Sequence, residues 1–291
     1  PVLRPVWDTR RIVAGHARGC RGKHMRVAVV VCMALGALAT TAVAQDFALA
    51  RLEDSPRHHE WVALEREGRT LHAFVVYPEV GGKADAVVVI HENRGLTDWV
   101  RSFADQVAEA GYLAIAPDML SGDGPDGGKT SDFPSSDAAR EGIYGLDPER
   151  VTGDLNAAAD YVTGLPAASR KVSVAGFCWG GSQTFRFATN REGLTAACVF
   201  YGSAPKSADD IARISSPVYG FYGQNDNRIN STLDDTASMM TAAGKTFDPV
   251  IYDGAGHAFM RRGDAPDADD ASRAARDGAF KRLIGILGDG G

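Results

Sequence analysis

Cys178 sits in Gly176-Phe177-Cys178-Trp179-Gly180-Gly181, a thiol with glycine two residues away on either side. This is the G-x-S-x-G spacing with cysteine in the place of serine. The chemistry it serves is acyl transfer. A nucleophile presented on a very tight strand-to-helix turn needs neighbours that lack a Cβ where backbone and helix approach closely. The flanks fit that turn. Lys171-Val172-Ser173-Val174-Ala175 predicts a buried strand, and Ser182 to Ala188 predicts the opening of a helix. The first N–H groups of such a helix point at the reacting centre, where they favour a thiolate and an oxyanion.

A thiol with the ordinary pKa of about 8.5 is mostly protonated near neutrality, so it needs a base, and the base an orienter. On a sheet of this kind the partners follow in the order nucleophile, acid, histidine, each at a strand end. The run Pro217 to Tyr222 leads into Gly223-Gln224-Asn225-Asp226, and Pro249 to Tyr252 into Asp253-Gly254-Ala255-Gly256-His257. His257 is the one histidine downstream of the nucleophile after a late strand. Asp226 is the expected orienter and Asp253 the nearby alternative. Two backbone N–H groups should form an oxyanion hole, one from Trp179 and one from Asn93 in the loop His91-Glu92-Asn93-Arg94-Gly95. Glu92 is a carboxylate at a strand end, costly there unless it is used or paired, with Arg94 or another arginine as partner. His58-His59-Glu60 has metal-ligand residue types, but adjacent side chains point apart, so it is expected to be a solvated lead-in and no metal site is predicted.

The elements that must hold these residues alternate between strand and helix. A hairpin is expected around Arg66-Glu67-Gly68-Arg69, with Gly68 in the turn. Ala86-Val87-Val88-Val89-Ile90 predicts a strand covered on both faces. Trp99, Val100, Phe103, Val107 and Ala110 fall at helical spacing before Gly111, and Tyr112 to Ala116 returns to strand. Residues 120–147, rich in Gly, Ser, Asp and Pro, are expected to form an excursion over the strand ends, a plain solvated loop or part of a lid. A helix carries Val151, Leu155, Ala158 and Val162 after Asp147-Pro148. Strands at 194–202, 217–223 and 248–252, helices near 207–214 and 230–243, and a last amphipathic helix with Leu283 and Leu287 complete the pattern. The fold class is α/β, a mostly parallel sheet with helices on both faces in a single domain over 45–291.

The front of the chain has another character. Met25-Arg26 precedes an apolar stretch to Leu38 and an A-x-A site, which predicts a secretory signal over 25–44 cleaved after Ala44. Residues 1–24 read as upstream read-through, and a secreted or periplasmic location is expected. Without residues 1–44 the chain has 24 basic and 36 acidic residues, a formal charge of −12. Such a surface repels nucleic acid and anionic membranes, so neither is an expected partner. Of the two remaining cysteines, Cys198 lies in the apolar run Ala196-Ala197-Cys198-Val199-Phe200 and reads as a small buried hydrophobe. A Cys178–Cys198 disulfide would destroy the proposed site.

Four segments in this order resemble the dienelactone hydrolase family of α/β-hydrolases, over essentially all of residues 50–288. They are the Glu92 loop with Pro117-Asp118-Met119-Leu120, the Cys178 turn, Tyr222-Gly223-Gln224-Asn225-Asp226, and Gly256-His257-Ala258-Phe259. The resemblance implies Cys178 as nucleophile, His257 as base, Asp226 as its orienter, and Glu92 as the carboxylate that exchanges a proton with the thiol. It implies a cofactor-free hydrolase of small esters or lactones working through a thioester that water cleaves. Well-known members hold a substrate carboxylate with two arginines. Arg261 matches one, and Gly122, four residues after Asp118, stands at the position taken for the other. That departure points away from dienelactone itself. Two rival expectations are a non-catalytic exported small-molecule binding protein on the same fold and a redox use of Cys178.

Overall fold

The computed structural model describes residues 47–289, and every structural statement below concerns those residues. The predicted leader, its cleavage site after Ala44 and the segment before Met25 lie outside them. Val87, Val88, Val89 and Ile90 are fully buried, which a strand achieves only with cover on both faces. They belong to β3 (Ala84–Ile90), near the centre of an eight-stranded sheet. The others are β1 (His59–Arg66), β2 (Arg69–Val76), β4 (Leu113–Pro117), β5 (Ala168–Phe177), β6 (Leu194–Phe200), β7 (Val218–Gly223) and β8 (Phe247–Tyr252). Their order is β1-β2-β4-β3-β5-β6-β7-β8, parallel from β4 to β8, with β2 antiparallel to both β1 and β4.

A helical segment over 47–53, α1, precedes the sheet. Between the strands run α2 (Asp98–Glu109), α3 (Ser136–Gly145), α4 (Pro148–Gly164), α5 (Trp179–Ala188), α6 (Ala208–Ala212), α7 (Asn227–Asn230), α8 (Leu233–Ala242) and α9 (Phe259–Gly263), and α10 (Asp270–Asp289) follows. Alternate residues of β3 feed two cores, one on each face of the sheet. Ala86, Val88 and Ile90 share a cluster with Val151, Leu155, Ala158 and Val162 of α4. Val87 and Val89 share the other with Trp99 and Phe103 of α2 and Leu283 of α10. The predicted two-sided parallel sheet is thus the observed one. The hairpin closes as expected in two residues with left-handed backbone, Glu67 (φ 48°) and Gly68 (φ 81°), whose twist suits flanking strands.

The excursion at 120–147 is more ordered than a loop. Two 3-10 turns, Pro125–Gly127 and Thr130–Asp132, are followed by α3. Ser135 caps that helix by accepting from the Ala138 N–H, and Ala139 and Ile143 bury its inner face. The buried Asp118 ties the excursion down, since its carboxylate accepts from the N–H of Leu120 and from both N–H and Oγ1 of Thr130. The predicted helix near 230–243 is divided into α7 and α8, and α9 was not anticipated. His59 is not solvated. Its Nε2 lies 2.8 Å from Oδ1 of the fully buried Asp105, which Arg57 and Ser55 also engage. No helix among the described residues is long and apolar enough to cross a membrane.

Candidate active site

The chain reverses its order across the sheet at β3, with β4 added on one side and β5 on the other. At such a switch point the loops leaving neighbouring strands part and a crevice opens at their carboxyl ends. Register then decides what meets there. Ile90 pairs with Gly176, so Glu92 and Cys178, each two residues further on, leave adjacent strands together.

Cys178 joins β5 to α5 with φ 57° and ψ −114°, a strained conformation for a residue with a side chain. Surrounding backbone holds it there. The Cys178 N–H donates to the Phe200 carbonyl at 3.0 Å, and the Cys178 carbonyl accepts from the Ser182 N–H at 3.2 Å. The flanking glycines are required by contact. A Cβ at Gly176 would lie 2.2 Å from the Gly180 carbonyl oxygen, and one at Gly180 would lie 2.4 Å from the His91 carbonyl oxygen. Cys178 is half-buried and its thiol is free; Cys198 is also free but fully enclosed, and burial pushes its thiol up to about 12.

Asp226 and His257 arrive on the loops after β7 and β8. Those loops brace each other: Asn225 N–H donates to the Ala255 carbonyl and Gly254 N–H to Gln224 Oε1, both at 2.8 Å. Asp226 begins α7 without using its carboxylate as a cap, which leaves that group for the imidazole. Its Oδ2 lies 2.5 Å from His257 Nδ1 and the side chain is almost enclosed, whereas Asp253 is exposed. Burial disfavours a charged His257. Hydrogen bonding to Asp226 and to the Cys178 side chain, with the charges of both, outweighs that and raises its pKa to about 9. Asp226 and the Cys178 side chain thus both favour the protonated imidazole.

Glu92 is paired, and its partner is Arg261 rather than the exposed Arg94: Arg261 Nε donates to Glu92 Oε2 at 2.7 Å. A residue not singled out in the sequence completes this group. Tyr201, just past β6, is fully buried at φ 42°, and its ring meets His257 edge-on at 5.0 Å. Its hydroxyl approaches Glu92 Oε1 at 3.5 Å, and burial together with the Glu92 charge holds it protonated far beyond its usual range. A tyrosine directly after an apolar strand and before Gly202 was the available signal.

The predicted oxyanion donors, Trp179 and Asn93, lie at the start of α5 and on the loop after β3. Trp179 opens α5, where no earlier helical turn exists to take its N–H. Asn93 lies on the loop after β3, and its side-chain Nδ2 donates to Tyr144 Oη at 3.1 Å. An open depression of about 520 Å³ beside it is lined by Asn93, Arg140, Glu141, Tyr144 and Gly145. Arg140 and Tyr144, four residues apart on α3, are thus brought beside Asn93 by a helix within the predicted excursion. Gly122 is placed differently. A Cβ there would meet only the Arg69 side chain, at 3.5 Å, so it is not the position that faces this depression.

Known proteins share this architecture. A structure from Klebsiella pneumoniae, provisionally described as a dienelactone hydrolase, superposes with a TM-score of 0.69 at 23% identity, covering 80% of this chain and 98% of that one. A dienelactone hydrolase-like promiscuous phosphotriesterase from metagenomic libraries gives 0.67 at 24%, with the same coverage of both chains. A Methylorubrum extorquens protein provisionally named carboxymethylenebutenolidase is 29% identical over 209 residues, 68% of this chain and 71% of that one. The model of the dienelactone hydrolase family matches residues 71–289. The protein belongs to that family of α/β-fold hydrolases.

Proposed function

We propose that the protein hydrolyses small carboxylate-bearing esters or lactones through a thioester on Cys178. The observation that carries this reading is His257, bonded through Nδ1 to Asp226, with its pKa raised to about 9 by hydrogen bonding to Asp226 and to the Cys178 side chain. That imidazolium supplies a counter-charge for a thiolate and a proton for a leaving group.

The sulfur of Cys178 attacks the substrate carbonyl carbon, and the carbonyl electron pair moves to oxygen as an oxyanion facing the N–H groups of Asn93 and Trp179. The oxyanion collapses, the C–O bond to the leaving oxygen breaks, and His257 gives that oxygen its proton. In a lactone the leaving oxygen stays tethered. The now neutral His257 takes a proton from water, whose oxygen attacks the thioester. The C–S bond breaks, and the acid and the thiolate–imidazolium pair are restored. Asp226 holds the ring in the tautomer that places Nε2 toward sulfur.

The carboxylate preference rests on Arg140 and Tyr144 beside Asn93, and on Arg261 next to Glu92. The names carried by two relatives, carboxymethylenebutenolidase and, for a Bradyrhizobium protein 26% identical over 212 residues (69% of this chain, 83% of that one), 2-oxo-3-(5-oxofuran-2-ylidene)propanoate lactonase, describe lactones of that kind. A substrate carboxylate that engages Arg261 competes with Glu92, and the freed Glu92 carboxylate can take the proton from any Cys178 that is still a thiol, giving the thiolate and a neutral Glu92. Arg140, beside Asn93 in that depression, is the candidate for the second arginine in this reading. Export is part of the same reading, from the apolar stretch after Met25 and the A-x-A site before Gln45.

The test is intact-protein mass spectrometry during turnover of a p-nitrophenyl ester quenched in acid. An acyl adduct on the peptide that holds Cys178 is expected, and its release by neutral hydroxylamine. Turnover with no such adduct, or an adduct elsewhere, would overturn the thioester mechanism.

A further inference from the structure

His91 closes β3 one residue before Glu92 and has no exposed surface. A buried imidazole is tolerated when both ring nitrogens are bonded, and here both are. Nδ1 lies 2.8 Å from the Glu92 carbonyl oxygen, and Nε2 lies 3.2 Å from the Met119 backbone nitrogen. A carbonyl oxygen only accepts and a backbone N–H only donates. These partners therefore fix the tautomer, with the proton on Nδ1 and the lone pair on Nε2. Burial lowers the pKa of this ring against the opposing charge of Asp118, which keeps it neutral.

The Glu92 carbonyl and the Asn93 N–H are the two ends of one peptide unit. A trans peptide is planar, with its C=O and N–H pointing in opposite directions. A donor clamped to the carbonyl therefore sets the direction of the N–H, and by polarising the unit strengthens it as a donor. The other predicted oxyanion donor is touched by the same residue. The imidazole stacks on the Trp179 ring, with centroids 5.5 Å apart and planes at 15°. The His91 main-chain carbonyl packs so closely on α5 that only glycine fits at position 180.

We propose that His91 is a positioning residue of the oxyanion hole: through Nδ1–H on the Glu92 carbonyl it aims the Asn93 N–H at the reacting oxygen. Through its stacking on Trp179 it keeps that amide in register with the first. This deepens the thiol-hydrolase reading and rests on it. A merely structural histidine would tie β3 to the segment after β4 and affect the fold alone.

The experiment compares wild type, Cys178→Ala, His91→Phe and His91→Gln. It measures kcat and KM for a p-nitrophenyl ester, the alkylation rate of Cys178 by iodoacetamide, and Tm. Alkylation displaces iodide at a saturated carbon and forms no oxyanion, so it reports the thiol without the hole. His91→Phe keeps the stacking and removes both hydrogen bonds. It should lower kcat by about 10²–10³, the loss seen when one oxyanion donor is removed, with KM and alkylation within about threefold of wild type on the same scale. His91→Gln can donate to the Glu92 carbonyl and accept from the Met119 N–H, and should restore at least about tenfold of that loss. Unchanged kcat in folded His91→Phe, equal losses of kcat and alkylation, or no recovery in His91→Gln would each overturn the proposal. If His91→Phe does not fold, His91→Gln decides: kcat within about tenfold with normal alkylation supports it, and a loss of about a hundredfold overturns it. Turnover surviving in Cys178→Ala would instead sink the thiol reading beneath it.

Discussion

Cys178 directly follows β5 and Cys198 lies in the neighbouring β6, with Ala175 directly opposite Cys198. Cys198 is extended mid-strand, enclosed on both sides, and its thiol is pushed up to about 12 by burial. Cys178 lies three residues beyond Ala175, where the backbone turns into the left-handed region and a charged imidazole waits. The residue type is common to both. The difference is made by a strand end, two glycines that admit the turn, and a cation held by a carboxylate. On the proposed reading, reactivity in this protein is a property of backbone placement.

The largest expected effect tests that contrast directly. Cys178→Ala should lower ester turnover by four orders of magnitude or more, the usual loss of a triad nucleophile, whereas Cys198→Ala should stay within about twofold. Steady-state rates on one p-nitrophenyl ester decide it. Comparable losses in both variants would mean that the sheet, not the turn, creates the reactive thiol.

Next in size is the carboxylate behind the imidazole. Asp226→Asn should cost about 10⁴ in kcat through loss of the preferred tautomer, while Asp253→Asn, exposed and away from His257, should leave the rate nearly unchanged. The pH profile sharpens the point. His257 must be protonated to release the leaving group, so acylation should fall along an alkaline limb near pH 9. Asp226 raises that pKa, so Asp226→Asn should move the limb to lower pH. Stability follows the same sign. The folded-state pKa lies above the unfolded value of about 6.5, so the His257 contribution is complete below that pH and is lost as pH rises through about 9. The Tm advantage of wild type over His257→Gln should shrink across that window.

The order of the candidate residues Cys178, Asp226 and His257 was legible because each follows an apolar strand and sits among turn-forming residues. Partners far apart in sequence were not. Glu92 needed an arginine, yet only the fold selects Arg261, 169 residues away, over the adjacent Arg94. His59 read as solvent-facing because its carboxylate, Asp105, comes from a helix 46 residues on. Helix α3 was hidden for another reason. It is ten residues long, contains Gly142 and Gly145, and follows a Gly- and Ser-rich stretch that reads as irregular. What stabilises it is tertiary: Ala139 and Ile143 bury against the core, and Asp118 anchors the segment before it through Thr130. Local propensity gives way to packing there. With α3 unseen, Arg140 and Tyr144 were unseen too.

That gap can be turned into a measurement. If α3 supplies the carboxylate contact, Arg140→Ala should raise KM about tenfold for an ester bearing a carboxylate, roughly one charge-assisted hydrogen bond, and leave a neutral ester of equal length unaffected. Tyr144→Phe should do less, because its hydroxyl accepts from the Asn93 side chain and its ring stays in place. Equal effects on both esters would assign α3 to shaping the depression alone.

The smallest effect returns to Cys198. Truncation to alanine leaves a small void between tightly packed strands, at a cost of roughly 1–2 kcal/mol. For a domain of this size that is a fall of about 2–8 °C in Tm. The rate should not follow it down, because Cys198 touches none of the reacting groups. Thermal unfolding with and without an excess of iodoacetamide separates the two thiols further. Alkylation of Cys178 should abolish turnover with the fold intact, whereas Cys198 should be modified only as the protein unfolds. Modification of Cys198 in the folded state would mean that the centre of the sheet opens on the timescale of the reaction. The contrast between the two cysteines would then be one of exposure time and not of backbone placement.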